Sequence, residues 1–71
     1  MSSFEGLLVI VKYLFPDREF ELMDQYCRTL KPSGRMARIS LEYASINRLH
    51  DLKEYLIEKL IKRLGRFVNK W

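Results

Sequence analysis

The sequence predicts an all-α protein of four helices in two antiparallel hairpins. Three observations lead there. Phe4 to Phe15 (FEGLLVIVKYLF) is apolar on nearly every side, interrupted only by Glu5 and Lys12. Three further segments repeat their apolar residues at helical spacing. Pro16, the Lys31-Pro32-Ser33-Gly34 stretch and the Asn47-Arg48 region punctuate them where helices should end. With 71 residues the chain is expected to form a single domain over residues 1–71.

Helix one is expected from residue 3 to 14. Ser2 and Glu5 have capping-box spacing at its start. The sub-run Leu7 to Val11 also suits a buried strand, but the chain offers no second strand, and a lone strand leaves its backbone groups unsatisfied. A helix apolar nearly all round is buried on most sides. One small protomer is poorly equipped to cover it, so self-association or docking is expected.

Helix two is expected over residues 16–30. Phe15, preceding a proline, is driven out of α geometry, and Pro16 suits a first helical turn. Asp17 and Glu19 favour the positive end of the dipole, and Arg28 and Lys31 the negative end. Phe20, Met23, Tyr26, Cys27 and Leu30 mark its apolar face. Helix three is expected over 33–47 with Ser33 as its cap. Ala37, Ser40 and Ala44 give it a side that a neighbouring helix can approach closely. Helix four is expected over 51–70, capped by Asp51 with Glu54 three residues on. Leu52, Leu56, Leu60 and Leu64 follow at i+4 steps. Gly65 costs about 1 kcal/mol relative to Ala inside a helix, so a stop there competes with continuation.

The totals exclude several functions. Cys27 and His50 are the only cysteine and histidine. No internal disulfide can form, and the usual zinc set of three or four ligands is missing. Cys27 reads as a small apolar core residue, and His50, beside Asp51 at a turn, as a solvated loop residue or part of the cap. Phosphate loop, nucleophile elbow and HExxH motif are all missing, so neither an enzyme nor a cofactor is expected. The apolar run is shorter than the roughly 20 residues a bilayer span requires, and no signal peptide precedes it. A cytoplasmic location with neither membrane nor small-molecule partner is the expectation.

Charge is uneven. Residues 1–30 hold three bases against five acids (−2), and residues 31–71 hold ten bases against four acids (+6). Lys59, Lys62, Arg63, Arg66 and Lys70 form a basic stripe on helix four. Such a stripe suits phosphate binding or an anionic membrane surface, against the commoner plain solvated face. Helices two and three also allow a helix-turn-helix reading that brings Arg35, Arg38 and Asn47 to a groove, against the commoner plain αα-hairpin.

FPDREFELMDQYCRTL, followed by ARISLEYASINRLHDLKEYLIEKLI, resembles the arbitrium communication-peptide receptors of temperate Bacillus phages. The pieces are Ile10-Val11-Lys12, Pro16-Asp17-Arg18-Glu19, Glu21-Leu22-Met23, Tyr26-Cys27, Ala37-Arg38 and Leu41-Glu42-Tyr43-Ala44, at matching spacing. The likeness runs from about Phe4 to Ile61. It implies tetratricopeptide-like hairpins and a role in the lysis–lysogeny choice. The matching segment is that just after the receptors' DNA-binding domain, where their repeats begin. DNA recognition and peptide sensing are therefore not expected to carry over.

One or two repeats of a solenoid seldom stand alone. The surfaces expected to meet a partner are Phe4, Leu8, Val11 and Phe15 on helix one, with Leu64, Phe67, Val68 and Trp71 at the other end. The expected partner is a second copy (a homodimer) or a helical-repeat regulator. The alternative is a small DNA-binding repressor or antirepressor using the basic stripe.

Overall fold

The computed structural model describes residues 3–68, with side chains in the last helix as far as Gly65. It is all-α. The helices are α1 (Ser3–Leu14), α2 (Glu19–Leu30), α3 (Arg35–Ile46) and α4 (His50–Val68), with a 3₁₀ turn at Pro16–Arg18. No strand occurs among the described residues. The chain divides into two compact units, one through Ser40 and one from Leu41 onward.

In the first unit, the Phe4 ring meets Tyr26 at 5.8 Å between centroids, tilted by 59°. The start of α1 therefore lies beside the end of α2. At the other end Phe15 joins the helices: its N–H donates to the Val11 carbonyl, and its own carbonyl accepts from Arg18. The two helices run antiparallel. Their interior holds Phe4, Val11, Met23 and Cys27, together with Ala37 and Ser40 from the first part of α3. Full burial of a side chain such as Phe4 is worth about 1.5–3 kcal/mol.

Helix two starts differently from expectation. Pro16–Arg18 forms a 3₁₀ turn, and α geometry begins only at Glu19. At the other end Lys31 takes a left-handed conformation (φ 47°), and its N–H returns to the Cys27 carbonyl. This is the simple left-handed helix stop, built on lysine where glycine is usual. Helix three also starts later than expected. Gly34 stands before it at φ +58°, a left-handed conformation that glycine adopts without strain. Ser33 contributes its backbone carbonyl, which accepts from Met36.

In the second unit, Tyr43, Ala44, Leu52 and Leu56 are buried. The corner after α3 is a Schellman motif. Leu49 N–H donates to the Ala44 carbonyl at 2.9 Å, Arg48 N–H donates to Ser45 at 3.3 Å, and Arg48 is left-handed at φ 56°. The Asn47 side-chain amide adds a bond to the Tyr43 carbonyl. Helix α4 begins at His50, so Asp51 sits inside its first turn and not at the cap expected from the sequence. Its charge still favours the positive end of the dipole. The helix continues through Gly65 to Val68. Residues 69 and 70 of the expected span lie outside the described residues.

Burial fades along the leucine stripe of α4. Leu52 and Leu56 are enclosed, Leu60 is half-buried, and Leu64 is 63% exposed. Steps of four residues turn about 40° each around a helix of 3.6 residues per turn. Three such steps carry Leu64 roughly a third of a turn from Leu52, off the buried side.

Candidate interaction surface

Helix α1 sorts its apolar residues by side. Phe4 and Val11, two turns apart, point inward and are buried. Gly6, Leu7 and Leu8 are half-buried. Val9 (58%), Ile10 (54%), Tyr13 (85%) and Leu14 (56%) are exposed. These four occupy about 140° of the helical wheel, and both charges of α1, Glu5 and Lys12, fall outside that sector. Contiguous exposed apolar residues of this kind mark contact surfaces.

Beside this ridge runs an open groove of about 520 Å³ between α1 and α2. Leu7, Ile10, Val11 and Phe15 line one wall, and Leu22, Gln25, Tyr26, Thr29 and Leu30 the other. Gln25 and Thr29 are its only uncharged polar side chains apart from the Tyr26 hydroxyl, and no charged residue lines it. Arg18 of the 3₁₀ turn pairs its Nη2 with Glu21 Oε1 at 3.2 Å, and within α2 Arg28 Nε pairs with Asp24 Oδ1 at 2.6 Å. Surface pairs of this kind add little stability. They do neutralise charge on that helix.

The residues expected at a partner interface are thus divided. Phe4 and Val11 belong to the core, because the packing of α1 on α2 takes that side of the helix first. Leu8 is half-buried, and Phe15 is exposed at the groove's end. Leu64 is exposed in the second unit. The side chains of Phe67, Val68 and Trp71 lie outside the described residues. Val9, Ile10, Tyr13 and Leu14 were missed. An all-round apolar run contains no signal for which side will face outward.

The basic stripe is partly engaged. Lys59 Nζ lies 5.4 Å above the Tyr55 ring. Lys62 Nζ pairs with Glu58 Oε1 at 3.2 Å. Arg63 is exposed, while the side chains of Arg66 and Lys70 lie outside the described residues. Asn47, expected as a possible base reader, spends its amide on the end of α3. Arg35 and Arg38 are exposed beside Gly34.

Cys27 is enclosed, and burial pushes its thiol up from the ordinary value of 9.0. A hydrogen bond with Ser40 opposes that rise, Asp24 adds to it, and Arg28 opposes it. The Ser40 hydroxyl donates its one proton to the Met36 carbonyl at 2.7 Å. Among the described residues, no His, Cys, Asp and Glu cluster suits a metal ion, and no helix is long and apolar enough to cross a membrane.

Comparison with known proteins places the chain. The family model described as AimR transcriptional regulator-like matches residues 19–71. The AimR transcriptional regulator of Bacillus phage SPbeta is 40% identical over 60 residues, covering 84% of this chain and 16% of that protein. The SPbeta prophage-derived protein YopK of Bacillus subtilis (strain 168) matches to the same extent. The AimR transcriptional regulator of Bacillus phage phi3T is 38% identical over 71 residues, all of this chain and 19% of that protein. The chain therefore spans under a fifth of the length of these relatives. The likeness also reaches beyond Phe4 to Ile61, taking in the basic end of α4. No solved structure matches.

Proposed function

Because the chain belongs to the AimR transcriptional regulator-like family, we propose that it is a phage regulatory protein of the lysis–lysogeny switch that acts by protein–protein contact. One observation carries this reading: Val9, Ile10, Tyr13 and Leu14 of α1 form an exposed, uncharged apolar face beside an apolar groove. Surfaces of this kind are contact sites for other proteins. The docking partner is another copy or a helical-repeat regulator. The site of action is the cytoplasm of the bacterial host. The two phage relatives named above are transcriptional regulators, which agrees with a regulatory role.

The test is made in a lysogen. The chain is expressed in trans, and the frequency of prophage induction is measured against Ile10→Glu, with helicity of both checked by circular dichroism. The reading expects the unaltered chain to shift induction and the folded variant to lose most of that shift. Equal effects of the two, or no effect of either, overturn it. A salt-dependent mobility shift of duplex DNA by both forms favours the basic stripe of Lys59, Lys62, Arg63, Arg66 and Lys70 as the working surface instead.

A further inference from the structure

We draw no further inference here: the strongest candidate, the polar pocket of Ser3, Tyr26, Lys31 and Ser33 between the starts of α1 and α3, rests on two helix N-termini alone, with no unpartnered buried polar side chain among the described residues to mark a ligand.

Discussion

At the scale of single residues, Cys27 shows how burial decides chemistry. Desolvation disfavours the thiolate, so the folded thiol ionises at higher pH than the unfolded one. A group whose folded pKa is raised stabilises the fold fully below its unfolded pKa. That contribution shrinks as pH climbs above 9.0 toward the folded value. The unaltered chain should therefore lose stability between pH 9 and 10.5, relative to its own value at pH 7, more than Cys27→Ala does. Urea unfolding of both at each pH measures the difference, and parallel profiles would show that the thiol is not shielded. The enclosed role of Cys27 was legible from its place beside Met23 on the apolar side of α2, although Phe20 and Leu30 of the same side stay exposed. The outward set Val9, Ile10, Tyr13 and Leu14 was not. Sequence periodicity selects a buried side only when the opposite side is polar, and here it is not.

At the scale of elements, four helices could be read because each carries a period and a break. Pro16 and the Lys31–Gly34 stretch mark real ends, and Phe15 leaves α geometry as a residue before proline must. The details of the ends were not legible. Asp51 has the chemistry of a cap, yet the Schellman corner at Arg48 and Leu49 starts α4 one residue earlier. That corner is built by a left-handed arginine, and no sequence rule looks for arginine there. Gly65 also left the end of α4 open. The structure shows the helix passing through it, with open space where a Cβ would stand. Gly65→Ala should therefore stabilise the chain by about 0.5–1 kcal/mol, since it removes backbone entropy without a clash. A denaturant midpoint moving upward at unchanged slope checks this, and a downward move would mean that the site is not open.

At the scale of the whole molecule, the sequence foresaw surplus apolar surface but placed part of it wrongly. Phe4 and Val11 were assigned to a partner, and they belong to the chain's own interior. The surplus is nevertheless present on α1. A domain of this size is marginal by itself, so association should add visibly to its stability. The thermal midpoint of the unaltered chain is expected to rise over a hundred-fold increase in concentration, and that of Ile10→Glu to stay nearly constant. A midpoint independent of concentration in both would mean that folding needs no second copy. The family was legible from PDRE-x-ELM and LEYA, whose resemblance the match over residues 19–71 bears out at the level of the family.

Two corners of the backbone, at Lys31 and Arg48, turn through a conformation that side chains dislike, and each is occupied by a cation. Each follows the C-terminus of a helix, the end of the dipole that favours a positive charge. Dissolved ions weaken such attraction over distances of about 10 Å at 0.1 M. Ionic strength thus reaches the main chain at its bends, even though the enclosed apolar interior does not feel it.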